Sequence, residues 1–96
     1  MKGEKMATTR NINSVWERIE ENAGEVFRQI KGGEFTYVVA NGHLIPDRTR
    51  QQIPRSHFEK ALAFVPLSTT REIQNLRGPS YIFAVLMDPQ IRKDEW

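Results

Sequence analysis

The dipeptide Asn41-Gly42 stands between two runs of strand-forming residues, and it restricts the fold more than any other feature of the chain. Both positions of a two-residue hairpin turn need a positive φ, which Asn and Gly adopt most readily. The sequence therefore predicts a β-hairpin with a defined register. The expected cross-strand pairs are Val39 with Leu44, Val38 with Ile45, and Tyr37 with Pro46. Because Pro46 cannot donate a ladder hydrogen bond, the second strand is expected to lie at a sheet edge there.

A long amphipathic helix is predicted before the hairpin, over residues 15–31. Ser14 and Glu17 have the spacing of a capping box, in which each side chain accepts a hydrogen bond from an otherwise unpaired backbone N–H. Gly32-Gly33 would end the helix, because glycine accepts the left-handed conformation that follows a helix C-terminus. The apolar stripe at helical spacing consists of Trp16, Ile19, Ala23, Val26, Phe27 and Ile30.

Two shorter helices are predicted after the hairpin, because the capping-box spacing recurs at Ser56 with Glu59 and at Thr69 with Glu72. The first would bury Phe58, Ala61, Leu62 and Val65, and the second would bury Ile73 and Leu76. Residues 81–87 suit either a buried strand or a buried helix, and Pro79-Ser80 just before them favours the helix.

The fold class that follows is α+β, with a small single domain, a long N-terminal helix, one β-hairpin and two to three C-terminal helices. Residues 13–89 are expected to form the globular domain. A flexible arm over residues 1–12 and a loose tail over residues 90–96 are expected on either side of it.

Composition excludes several classes of protein. There is no cysteine, so disulfides, thiol catalysis and Cys-based zinc sites are excluded, and a cytoplasmic location is expected. The longest apolar run, residues 81–87, is far shorter than the roughly 20 residues that span a membrane, so no membrane association is expected. The formal net charge of +2 is too small to indicate a partner by itself.

The side chains form no recognisable set for catalysis or metal binding. His43 and His57 are the only histidines, and no metal-binding spacing joins them. Ser14 and Ser56 are explained as helix caps, and no nucleophile elbow, Walker motif or dinucleotide fingerprint is present. We therefore expect a protein that is not an enzyme, with no catalytic residue, no metal and no cofactor.

Positive charge gathers after the hairpin turn, where residues 41–60 carry four cationic side chains and both histidines against two carboxylates. If the second strand continues past Pro46, Arg48 and Arg50 point to one side of it. Arginine forks bind phosphate oxygens, and a helix N-terminus at Ser56 would add N–H donors. The candidate nucleic-acid-binding residues are Arg48, Arg50, Arg55, His57, Lys60 and His43.

The predicted function is thus that of a small non-enzymatic nucleic-acid-binding or regulatory accessory protein that uses residues 43–60. Two alternatives stay open. Charge on an edge strand also prevents aggregation, so these side chains can serve solubility alone. The hairpin edge can also accept a strand from a protein partner or from a second copy of the chain, giving a homodimer. Phe35, Tyr37 and an exposed Trp96 would then belong to the interface.

Overall fold

The computed structural model describes residues 11–96, which fold as a small α+β protein, as predicted. Within this range the helices are α1 (Ile12–Glu21), α2 (Arg55–Ala61), α3 (Pro79–Leu86) and α4 (Pro89–Arg92), with 3₁₀ turns at Leu62–Phe64 and Arg71–Ile73. The strands are β1 (Phe27–Arg28), β2 (Glu34–Phe35), β3 (Tyr37–Ala40), β4 (His43–Pro46) and β5 (Ile53–Pro54). They form two antiparallel sheets, with the orders β1-β2 and β3-β4-β5.

The N-terminal helix is present, but its predicted bounds of 15–31 are wrong. Helix α1 begins after Asn11, whose side chain accepts a hydrogen bond from the Asn13 N–H at 2.7 Å, so Ser14 is not the cap. The helix ends at Glu21 because Gly24 adopts φ +93° and donates its N–H to the Tyr37 carbonyl at 3.0 Å. A backbone at that φ cannot continue a right-handed helix.

The residues beyond Gly24 form a second hairpin that the sequence did not predict. Strands β1 and β2 pair Phe27 with Phe35 and Arg28 with Glu34. The Phe27 ring packs against the rings of Phe35 and Tyr37, at centroid distances of 5.9 and 5.2 Å. Burial of this aromatic cluster therefore holds the segment as a strand, although its apolar spacing also fits a helix.

The predicted hairpin of β3 and β4 is confirmed, including its register. Asn41 and Gly42 both have positive φ, at 53° and 74°, as a type I′ turn requires. Strand β5 pairs with His43 and Leu44 on the other side of β4, so β4 is central at that end. Among residues 11–96, Pro46 has Tyr37 of β3 as its single strand partner, which agrees with the predicted edge there.

The later helices bury the predicted side chains but begin differently. Phe58, Ala61, Leu62 and Val65 are all buried, as are Ile73 and Leu76. Pro54 occupies the cap position of α2, and no side chain caps it, so the predicted capping role of Ser56 is wrong. The expected helix at Thr69 is only a 3₁₀ turn, Arg71–Ile73, without a side-chain cap. Helix α3 confirms the helical interpretation of residues 81–87 and begins at Pro79.

The C-terminal segment packs onto the rest of the molecule, so the prediction of a loose tail with an exposed Trp96 is wrong. Trp96 is only 8% exposed, and its Nε1–H donates to the Leu86 carbonyl at 2.9 Å. The Arg18 guanidinium donates to the Ile91 carbonyl at 2.8 Å and pairs with Glu95 at 2.7 Å. A tryptophan that buries its ring and satisfies its N–H provides a stable anchor.

The predicted N-terminal arm lies outside the described residues except for Asn11 and Ile12, which start α1.

Candidate nucleic-acid interface

The structure separates the six predicted residues into three places. Strand β4 ends at Pro46, where Asp47 closes a turn: its N–H donates to the Thr36 carbonyl at 2.9 Å, and its Oδ1 accepts from the Thr36 N–H at 3.0 Å. The strand therefore does not continue past Pro46 to Arg48 and Arg50, so the condition under which both would point to one side of it is not met. Instead, Arg48 turns toward β2 and donates from Nη1 to the Glu34 carbonyl at 3.1 Å.

Arg55 and His43 lie together near the hairpin turn. The Arg55 N–H donates to the Gly42 carbonyl at 2.9 Å, and its guanidinium donates to the Asn13 side chain on α1. The His43 Nδ1 atom lies 2.8 Å from the Asn41 carbonyl, so that nitrogen carries the hydrogen and donates it.

A cleft of about 570 Å³ opens beside Arg55. It is lined by Asn13, Ser14, Trp16, Glu17, Glu20, Gly42 and Arg55. The carboxylates of Glu17 and Glu20 share this cleft with the Arg55 guanidinium. Mixed charge of this kind offers little net attraction to a phosphate, so the turn end of the hairpin is a poor site for a nucleic-acid backbone.

His57 and Lys60 lie in the third place, one turn apart on α2. The His57 Nδ1 atom accepts a hydrogen bond from the Arg77 N–H at 3.0 Å, so the neutral ring carries its hydrogen on Nε2. The Arg77 guanidinium donates to the Gln52 carbonyl at 3.3 Å. We call the exposed area formed by Arg50, His57, Lys60 and Arg77 the basic surface. Arg50 is grouped with the other three because it is exposed and lies two residues before Gln52, whose carbonyl accepts from the Arg77 guanidinium.

The electrostatic environment of His57 shows the character of this surface. The pKa of His57 is lowered by burial first, and then by the positive charges of Lys60 and Arg77. No carboxylate contributes an opposing shift to the pKa of His57. Within residues 11–96, ion pairs join Arg18 to Glu95 and Arg28 to Glu34, and neither pair involves the basic surface.

Arg77 is the residue that the sequence did not reveal. It is far from His57 in the chain, and the next residue, Gly78, packs directly on Ile53 of β5. A Cβ atom added to Gly78 would lie 2.8 Å from Ile53 Cδ1. The sequence feature that could have pointed to Arg77 is Gly78 before Pro79. It marks a special backbone position, but it does not indicate which residues approach that position.

The residues proposed for a protein interface are not exposed. Phe35 and Tyr37 are 2% and 1% exposed, and Trp96 is buried as well, so this prediction is wrong. On the three-stranded sheet, Val38 is an exposed apolar residue, at 59%. It lies on β3, which is an edge strand in the order β3-β4-β5.

Two further findings limit the chemistry of the described residues. Across residues 11–96, no three His, Asp or Glu side chains come close enough to hold a metal ion together. None of the helices in that part of the chain has both the length and the apolar character to cross a membrane.

Comparison with known proteins returned no match to a family model, to a curated protein or to a solved structure.

Proposed function

We propose that this is a small non-enzymatic nucleic-acid-binding or regulatory accessory protein, and that its basic surface binds the phosphate backbone. The observation that carries the proposal is the hydrogen bond from the Arg77 N–H to His57 Nδ1, which brings together the two separate segments that carry Arg77 and Lys60. Lys60 and Arg77 then act on His57 without an opposing carboxylate. Such a field attracts polyanions.

The chemistry of the four side chains suits phosphate oxygens. Arg50 and Arg77 offer planar forks of N–H donors, and Lys60 offers a compact charge. His57 adds a neutral Nε2–H donor, because its Nδ1 atom is occupied by the Arg77 backbone. Contacts of these groups with phosphate oxygens carry no sequence information, so the proposed binding has little sequence preference.

The proposal revises the set of binding residues. Arg55 and His43 belong to the mixed-charge end of the hairpin, and Arg48 belongs to the edge of β2. Arg50, His57 and Lys60 remain from the original set, and Arg77 joins them. A cytoplasmic location is part of the same proposal, since the chain has no cysteine.

Fluorescence anisotropy with short duplex and single-stranded DNA and RNA, at two salt concentrations, tests the proposal. We expect binding that weakens steeply with salt, because cation–phosphate contacts release counterions. The double variant Lys60→Ala, Arg77→Ala should bind all sequences more weakly, with a salt slope smaller by about one unit per contact removed. The matched control is Lys93→Asn, which removes an exposed lysine that lies outside the basic surface and should leave the slope unchanged. Asn tolerates the left-handed backbone of that position, where φ is 47°. Absence of binding by the unmodified protein at low salt would contradict the proposal.

A second candidate function is strand addition at the outer edge of β3. Hydrogen-bonded and non-hydrogen-bonded pairs alternate along an antiparallel ladder. Because Thr36 and Asp47 form a hydrogen-bonded pair, the backbone N–H and C=O of Val39 point away from β4. The exposed Val38 is the neighbouring side chain on this edge. Sedimentation over a range of concentrations tests this candidate, because self-association that is lost in Val38→Lys would favour it over the basic surface.

A further inference from the structure

A second cleft shares no lining residue with the basic surface. Its volume is about 520 Å³, which is in the range of small-molecule sites. It opens between the turn of the β1-β2 hairpin, the loop before the second 3₁₀ turn, and the start of α3. We call it the turn cleft, and its lining residues are Gln29, Ile30, Lys31, Ser68, Thr69, Thr70 and Ser80.

Three hydroxyl groups in the turn cleft already accept a hydrogen bond from the protein. The Thr69 Oγ1 atom accepts from the Arg71 N–H at 3.1 Å, and Thr70 Oγ1 accepts from the Gln74 Nε2 at 2.8 Å. The Ser80 Oγ atom accepts from the Gln29 Nε2 at 2.9 Å. Each hydroxyl keeps one hydrogen to donate. The cleft therefore offers donors to a group that only accepts hydrogen bonds, such as a phosphate.

The charge of the turn cleft favours an anion. Lys31 is the single charged residue in the lining, which contains no carboxylate. Arg48 stands close by: a Cβ atom added to Gly33 would meet Gln29 Oε1 at 3.0 Å and Arg48 Nη1 at 3.6 Å. The absence of a side chain at Gly33 thus lets Gln29 and Arg48 converge at the edge of the cleft. Lysine and arginine beside several hydroxyl donors form a typical phosphate environment.

The ligand also needs an apolar part, because Ile30 lines the cleft and is 53% exposed. A branched apolar side chain beside donors for an anion suits a phosphate ester with a flat apolar group. We propose that the turn cleft binds a nucleoside monophosphate unit, with its phosphate on Lys31 and the hydroxyls and its base against Ile30. Such a unit can be a free nucleotide or the 5′-phosphate end of a strand, and both present the same phosphate monoester.

Isothermal titration of the full chain with AMP, UMP, adenosine, uridine and inorganic phosphate tests the chemistry. We expect both nucleotides to bind at least about tenfold more tightly than their nucleosides, because a charge-assisted hydrogen bond contributes about that factor. Lys31→Ala should weaken the nucleotides about tenfold, while Ile30→Ala should weaken the nucleotides and leave inorganic phosphate unchanged. Thr70→Val keeps the shape of the side chain, and the loss of its hydroxyl should weaken nucleotide binding severalfold.

The second arm of the experiment compares oligonucleotides with a 5′-phosphate and with a 5′-hydroxyl. A preference for the 5′-phosphate that disappears in Lys31→Ala assigns the cleft to strand ends, even if free nucleotides bind weakly. Nucleotide binding without that preference assigns it to free nucleotides. The inference is overturned if neither arm shows a phosphate-dependent gain that Lys31→Ala removes.

Lys60→Ala separates this inference from the proposed function. It should weaken oligonucleotide binding through the basic surface and leave mononucleotide binding unchanged. Mononucleotide binding that falls equally in Lys60→Ala and Lys31→Ala would show that charge alone attracts the ligand, and would overturn the assignment to the turn cleft.

Discussion

The hairpin of β3 and β4 turns through Asn41 and Gly42 alone, whereas the hairpin of β1 and β2 turns through residues 29–33. The first has four paired residues in each strand, and its turn chemistry is local. The second has two paired residues in each strand and depends on Phe27 and Phe35 entering the aromatic cluster. A short-range signal thus specifies one hairpin, while the tertiary core specifies the other.

The two hairpins also present different surfaces. The chain leaving the first hairpin continues through Arg50 into β5 and α2, where His57 and Lys60 contribute to the basic surface. The turn of the second hairpin places Ile30 and Lys31 at the turn cleft. An open cationic area suits an extended polyanion, and a small cleft suits a single phosphorylated group.

The largest expected effect concerns the core residue of the second hairpin. Phe27→Ala should destabilise the protein by about 3–5 kcal/mol, since the ring is 1% exposed and its loss leaves a cavity. Ile30→Ala should change stability by less than about 0.5 kcal/mol, because the side chain is exposed. Urea denaturation measures both. Similar losses for the two variants would support one continuous helical stripe and break the distinction between the hairpins.

Gly24→Ala tests the backbone that separates α1 from the second hairpin. We expect a loss of about 1 kcal/mol, because an L-residue at φ +93° is strained although its side chain would have open space. A helix through this position would give the opposite sign, since Ala stabilises a helix interior by about 1 kcal/mol over Gly. The matched variant Ala23→Gly changes the exposed neighbour and controls for composition. A higher melting temperature for Gly24→Ala would contradict the structure.

The sequence predicted the β3-β4 hairpin and the buried face of α2, but it did not predict the strand at Phe27. The register of the β3-β4 hairpin followed from Asn41-Gly42, and burial of Phe58 and Leu62 followed from helical spacing. The spacing of Trp16, Ile19 and Phe27 also fits a helix, and only the approach of Phe27 to Tyr37 selects the strand. Periodicity does not carry that information, because the selecting contact joins segments that are distant in sequence.

The sequence likewise predicted part of the candidate site, the part that lies on one helix, and missed the part that depends on tertiary contacts. His57 and Lys60 lie on the same side of α2, as their spacing implies. Arg48 turned away because Asp47 forms side-chain and backbone hydrogen bonds with Thr36. Arg77 entered through a tertiary contact with His57, which no local pattern encodes.

A smaller effect is expected from pH. The pKa of His57 is lower in the folded protein than its ordinary value of 6.5, so the unfolded chain takes up a proton first as pH falls. Stability should therefore decline as pH drops below about 6.5. His57→Asn keeps an acceptor for the Arg77 N–H but does not titrate, so part of this decline should disappear. Urea midpoints at pH 8 and pH 5.5 measure the difference. An identical pH dependence in the two proteins would contradict the assigned environment of His57.

The central claim is that a polyanion binds where Lys60, His57 and Arg77 meet, and not on the acidic face of α1. A titration of the ¹⁵N-labelled protein with a short single-stranded oligonucleotide lacking a terminal phosphate, followed by NMR, tests it most directly. The account predicts that the largest amide shifts fall at residues 50–52, 57–60 and 76–78, and that they shrink as salt is added. Shifts centred on Glu17 and Glu20 of α1, or on Val38 and Val39 of β3, would contradict it.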